Sequence, residues 1–168
     1  MTENELHLQL RHWHKDSFGW ALHCCVGNEA DAEDVLQNVY LKVLEGKAKF
    51  DGKSSFKTWL FSVIRFTAID ALRRQKVRQT KMELIGKEAF AGIEADTEPE
   101  QSEEPDMQKF KAALDTLPER QHEVLLLVFY HENSIAEAAL IMGVSLGTAR
   151  THYERGKDAL RRILSMEY

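Results

Sequence analysis

At 168 residues the chain has room for one ordinary domain or two small ones, each able to bury a core. A charged fraction of 29% and a hydrophobic fraction of 43% are those of a soluble globular protein, and no apolar run approaches the roughly 20 residues of a membrane span. The net charge of −5 speaks against nucleic-acid binding only until it is mapped: eight acids and one base fall between Gly86 and Asp106, a net of −7, so the remainder carries +2.

The chain opens Met1-Thr2-Glu3-Asn4-Glu5, acidic where a secretory signal would be basic, which predicts a cytoplasmic protein. Leu6, Leu10, Trp13, Ser17, Trp20, Ala21 and Cys24 follow a three-or-four spacing and predict one amphipathic helix. His7, His12, His14, His23, Cys24 and Cys25 crowd that helix and invite a zinc or redox reading. Adjacent cysteines point about 100° apart on a helix, however, so one thiol packed inside and one exposed is the expectation, with Cys24 on the core stripe and no metal.

Asn28 is suited to cap a second helix, running to about Glu45, whose first turns carry Glu29, Asp31, Glu33 and Asp34 at the positive end of the dipole and whose apolar stripe starts at Val35 and Leu36. After a turn at Asp51-Gly52, Ser54 or Ser55 caps a third helix striped by Phe56, Trp59, Leu60, Val63, Ile64, Thr67, Ala68 and Leu72, with a basic tail. From Arg65 to Lys81 six bases stand against Asp70 alone. A three-helix bundle is expected for this first domain.

The acidic segment holds two of the three prolines, Pro99 and Pro105, and no helical period, so residues 89–106 read as a flexible acidic linker between domains over 1–88 and 107–168. Beyond it, Phe110, Ala113, Leu114 and Leu117 begin a helix that stops near Pro118, and Glu119 to about His131 forms the next. Ser134-Ile135-Ala136-Glu137 is a capping box opening a short helix to Met142. Gly143 ends it, and Ser145 caps a last helix from Leu146 to about Leu164. The fold class predicted is all-α, with two small helical domains, the second of four helices.

A short helix, the turn Gly143-Val144-Ser145 and a helix with polar and basic residues near its start have the layout of a helix-turn-helix. Such a helix enters the major groove by its N-terminal end, which makes Arg150, Thr151 and His152 candidate base readers. Ser145, Thr148, Arg155 and Lys157 are candidates for the DNA backbone, and Gly147 would permit close approach. No Gly-rich phosphate loop and no H-E-x-x-H zinc motif occurs in the sequence, so neither an enzyme nor a cofactor is expected.

The run Leu117-Pro118-Glu119-Arg120-Gln121 through Gly143-Val144-Ser145-Leu146-Gly147-Thr148-Ala149-Arg150 to Arg155 resembles region 4 of extracytoplasmic-function (ECF) sigma factors, of the sigma-70 family. Asp31-Ala32-Glu33-Asp34-Val35-Leu36-Gln37 resembles that family's region 2 motif for docking on RNA polymerase core, which implies that role for Asp31, Glu33, Asp34 and Gln37. Phe56-Lys57-Thr58-Trp59-Leu60 with Arg65, Asp70, Arg73 and Arg74 resembles the loop and helix that open the promoter minus-10 element. The resemblance implies minus-10 contacts from Lys53, Ser54, Lys57, Trp59, Arg65, Phe66, Arg73 and Arg74, and minus-35 contacts from Ser145, Thr148, Arg150, Thr151, His152 and Arg155. It also implies core polymerase and promoter DNA as partners, admits an anti-sigma factor, and takes the acidic linker through polymerase along the RNA exit path.

Strand opening needs aromatic surface for unstacked bases and a basic track beside it, and Phe56, Trp59, Phe61 and Phe66 interleave with Lys53, Lys57, Arg65, Arg73 and Arg74 as such a surface would. Phe56 and Trp59 fit the core stripe equally well. The sequence departs from the family where Phe66 replaces a usual Asn, Ser62 a usual base and His152 a usual Arg, and where Ala138 and Ala149 are smaller than the usual Ile and Val. Two rivals stand beside this reading: a conventional helix-turn-helix regulator with a sensing or dimerising first domain, and a protein that binds polymerase or a sigma inhibitor without reading DNA.

Overall fold

The computed structural model describes residues 1–84 and 105–166, and the described residues are all-α, with no strand. They form two compact units, described separately.

The first unit holds α1 (Glu3–His12), α2 (His14–Cys24), α3 (Glu29–Leu44) and α4 (Phe56–Leu84). A capping box opens α1: Thr2 Oγ1 accepts from the Glu5 amide and the Glu5 carboxylate accepts from the Thr2 amide. Asn28 Oδ1 caps α3 by accepting from the Asp31 amide, and Ser55 Oγ does the same for the Thr58 amide at the start of α4. Helices α2, α3 and α4 pack on one another around Trp20, Ala21, Val35, Leu36, Val39, Leu60, Phe61 and Ile64, all withdrawn from solvent.

The single helix expected over Leu6–Cys24 is two, α1 and α2, which meet at Trp13. There ψ relaxes to 6°, yet the Trp13 amide still donates to Gln9 O (3.1 Å) and its carbonyl accepts from the Ser17 amide (2.8 Å). A bend that keeps these bonds leaves the three-or-four spacing unchanged, which is why periodicity did not register it. The cysteine expectation is corrected as well: Cys25 is the buried thiol and Cys24 is half-buried. Helix α2 ends at Cys24, and Cys25 (φ −97°, ψ 16°) is followed by Val26 and Gly27 at positive φ, so ideal helical angles no longer apply where the side chain turns inward. Burial, helped by the Asp31 carboxylate, pushes the Cys25 thiol up to about 11.

The second unit holds α5 (Pro105–Asp115), α6 (Glu119–Leu125), a π-helical turn (Leu126–Tyr130), α7 (Ile135–Met142) and α8 (Leu146–Ser165). Helix α5 starts at Pro105, inside the segment read as linker; residues 89–104 of that segment lie outside the described residues. The helix expected over Glu119–His131 is α-helical only to Leu125, after which the chain widens by one residue per turn, with the His131 amide donating to Leu126 O. Leu114, Val124, Leu125, Leu127, Ala138, Ile141, Met142 and Ala149 make the core. Helices α6 and α8 cross at Gly156, where an added Cβ would come within 2.9 Å of Leu125 Cδ1 and 3.3 Å of Gln121 Cβ.

Candidate core-docking and DNA-binding surfaces

The four residues assigned to polymerase docking sit on the first half of α3, held there by the Asn28 cap and by the burial of Ala32, Val35, Leu36 and Val39 on the opposite side. Glu33, Asp34 and Gln37 are exposed. Asp31 is half-buried and accepts from Gln75 Nε2 of α4 at 3.4 Å, so it ties two helices together as well as adding charge. Asp34 lines a groove between α3 and α4 together with Asn38, Leu41, Arg74 and Arg78.

Seven of the eight minus-10 candidates fall in four places, and Arg65, the eighth, is half-buried on α4 next to Phe66. Trp59, Phe66 and Arg73 are seven residues apart and therefore fall on one line along α4, two turns between each. That line is the solvent side of the helix: Phe66 is 70% exposed and Ile69 beside it 48%. Trp59 is half-buried and leans into a cluster with Phe50 and Phe56, ring centroids 5.4–5.5 Å apart. Lys57 lies elsewhere, its ammonium over the Trp13 and Phe61 rings at 5.3 and 5.6 Å. Lys53 and Ser54 belong to the loop before α4, Lys53 exposed and 3.9 Å from Asp51. Arg73 and Arg74 both hold Asp70, at 2.8 and 3.2 Å, but as neighbours on a helix they leave it about 100° apart, Arg73 on the line with Phe66 and Arg74 in the α3–α4 groove. Phe61 has to be removed from the aromatic surface proposed by sequence: it is fully buried, stacked on Trp20. Phe56 is also buried.

In the second unit the turn between α7 and α8 is tightly specified. Ser134 and Glu137 complete the capping box on α7, Gly143 takes φ 69° to end it, and Ser145 Oγ accepts from the Thr148 amide to begin α8. A side chain at Gly143 would face that left-handed backbone, whereas Gly147 has ordinary helical angles and open space around it, so packing does not require glycine there. Ala149, Gly156 and Leu160 bury one side of α8. Opposite them runs a line of Gly147, Thr151, Glu154 and Asp158, with exposed Arg155 alongside. Arg150 is exposed on one flank of that line, and His152 is half-buried on the other. Thr148 Oγ1 accepts from Ser145 Oγ (2.8 Å) and Thr151 Oγ1 donates to Gly147 O (3.0 Å).

Glu154 is not among the residues that the sequence assigns to DNA. Its spacing of seven from Gly147 and three from Thr151 was the signal that places it at the centre of the exposed face. Among the described residues no group of three or more His, Cys, Asp or Glu converges as metal ligands would, and no helix is long and apolar enough to cross a membrane.

Comparison with known proteins accounts for both units. Residues 10–78 match the family model for Sigma-70 region 2, and residues 107–160 match that for Sigma-70, region 4. The chain is 30% identical over 164 residues to the ECF RNA polymerase sigma factor SigX of Bacillus subtilis, covering 92% of this chain and 80% of the relative. It is 29% identical over 141 residues to the ECF RNA polymerase sigma factor EcfG of Rhodopseudomonas palustris, covering 84% and 75%. Among solved structures, the sigma factor RpoE of Bartonella quintana, crystallised with the anti-sigma factor NepR, shares the fold with a TM-score of 0.73 at 24% identity, covering 98% of this chain and 99% of that one. CnrH, in complex with the cytosolic domain of CnrY, shares it at 0.62 and 17%, covering 99% and 92%.

Proposed function

The chain belongs to the ECF subfamily of the sigma-70 family of bacterial RNA polymerase sigma factors, and from that premise we propose a division of labour between its surfaces. The exposed acidic side of α3, through Glu33, Asp34 and Gln37 with Asp31 at its edge, docks on core polymerase. The α4 line of Trp59, Phe66 and Arg73, with Lys53 and Ser54 in the preceding loop and Arg65 beside it, receives the minus-10 strand as it leaves the duplex. Helix α8 reads the minus-35 duplex, with Arg150, Thr151, His152 and Arg155 toward the groove and Ser145 and Thr148 at the phosphate backbone. The phosphodiester chemistry stays with polymerase, in the cytoplasm; this chain supplies binding energy and DNA deformation.

The observation that carries the reading is the order of three surfaces on one chain: an acid-faced helix, an aromatic and basic helix beside it, and then a doubly capped helix-turn-helix. A conventional helix-turn-helix regulator needs only the last of these. An anti-sigma factor as a further partner is supported by the RpoE structure, solved with the anti-sigma factor NepR.

The docking assignment is tested with Asp34→Lys, an exposed position whose reversal leaves the core untouched. Affinity for purified core polymerase should fall about tenfold with the helical circular dichroism unchanged. Unchanged affinity would overturn the assignment of this face.

A further inference from the structure

We infer that Glu154 is a specificity-determining residue of the minus-35 reading surface, and that it selects cytosine by accepting a hydrogen bond from the exocyclic N4 amino group. The inference rests on the reading of α8 as the helix that enters the major groove, and goes beyond it by naming a residue and a base.

On the exposed line of α8, Gly147 has no side chain, and Thr151 carries a short hydroxyl whose proton is donated to Gly147 O, leaving it to meet DNA as an acceptor. Glu154 comes next on the line of Gly147 and Thr151. With only a hydrogen and a short hydroxyl side chain ahead of it on that face, the groove floor can approach the helix closely, so a side chain of glutamate length one turn further reaches base edges.

A carboxylate facing DNA is normally disfavoured by the phosphates, and the structure holds the countercharge next to it. Lys157 Nζ lies 3.6 Å from Glu154 Oε2 and 4.6 Å from the centroid of the Tyr153 ring. Tyr153 is stacked on Phe129, which meets Phe110 edge to face, so the lysine rests on a packed aromatic column. The lysine so held offsets part of the Glu154 charge. In the major groove the acceptor-only carboxylate accepts from cytosine N4 and is repelled by the acceptor edges of guanine and thymine; adenine also offers an N6 donor, but the N7 acceptor beside it repels the second carboxylate oxygen. Arg155, the next residue, is suited to the O6 and N7 acceptors of guanine, so a cytosine and a guanine close together in the minus-35 element are expected.

The test uses holoenzyme reconstituted from core polymerase and the full chain, transcribing a template library randomised through the minus-35 element. Wild type should enrich cytosine at one position by at least about fivefold over any other base. Glu154→Gln, which can both donate and accept, should shift that position toward adenine, and Glu154→Ala should leave it without preference while the other positions keep theirs. If both variants keep the wild-type preference at every position, or lower initiation uniformly without changing any preference, the inference is overturned while the sigma-factor reading stands. If no minus-35 preference of any kind is seen with wild type, the reading of α8 itself fails, and the inference with it.

Discussion

The indole Nε1–H of Trp20 donates to the backbone carbonyl of Phe61 at 3.0 Å, and the two rings stack with centroids 5.6 Å apart and planes 3° from parallel. Both side chains are fully buried, so this pair fastens α2 to α4 and sets where the exposed line of Trp59, Phe66 and Arg73 points. Trp20→Phe keeps an aromatic ring and leaves a buried carbonyl with one partner fewer, at a cost of about 1–3 kcal/mol; Trp20→Ala adds a cavity and should cost about 3–5 kcal/mol. Urea unfolding followed by circular dichroism measures both. Equal stability of Trp20→Phe and wild type would show the hydrogen bond to be energetically idle.

Gly156 gives a prediction with two opposed terms. Alanine in mid-helix gains about 1 kcal/mol over glycine, but its Cβ would press on Leu125, a side chain with no exposure and thus no room to yield, and overpacking costs about 1–3 kcal/mol. Gly156→Ala should therefore be neutral to destabilising, and Gly156→Val clearly destabilising, by thermal melting. A higher melting temperature for the valine variant would contradict the close α6–α8 crossing.

His122 makes the second unit sensitive to acid. Burial lowers its pKa from the ordinary 6.5, against the opposing pull of the Asp115 and Glu123 carboxylates. The unfolded chain therefore binds this proton more readily than the folded one, so the histidine's contribution is complete above about pH 6.5 and is lost as pH falls toward the folded-state value. The melting temperature of wild type should drop more steeply than that of His122→Gln between about pH 7 and pH 5. Parallel profiles for the two proteins would show that His122 does not carry the effect.

Much of this was legible in the sequence because it is local. The Asn28 cap, the Ser134–Glu137 box, the Gly143 stop and the Ser145 cap are each set by residues within a turn of one another, and each falls at the position the sequence indicates. What escaped depends on tertiary direction. Phe61 and Phe66 are both aromatics on a basic helix, and only packing against Trp20 makes one core and the other surface. Cys24 lies on the ideal stripe, but the turn after α2 buries Cys25 in its place. The π-helical turn at Leu126–Tyr130 changes the register of an apolar run too uniform for periodicity to resolve.

The exposed ring of Phe66 offers a direct probe of the proposed minus-10 surface. Phe66→Ala removes no core contact, so the fold should keep its stability to within about 0.5 kcal/mol, while open-complex formation, read by permanganate reactivity of unpaired thymines, should fall by about tenfold. Undiminished opening would place strand separation on other residues.

This chain gives core polymerase its choice of promoter. Start-site sequencing of RNA made by purified core polymerase on a promoter library, with and without the full chain, measures that choice. Initiation should require the chain and cluster downstream of one pair of minus-35 and minus-10 sequences. Starts that are identical in its presence and absence would contradict it.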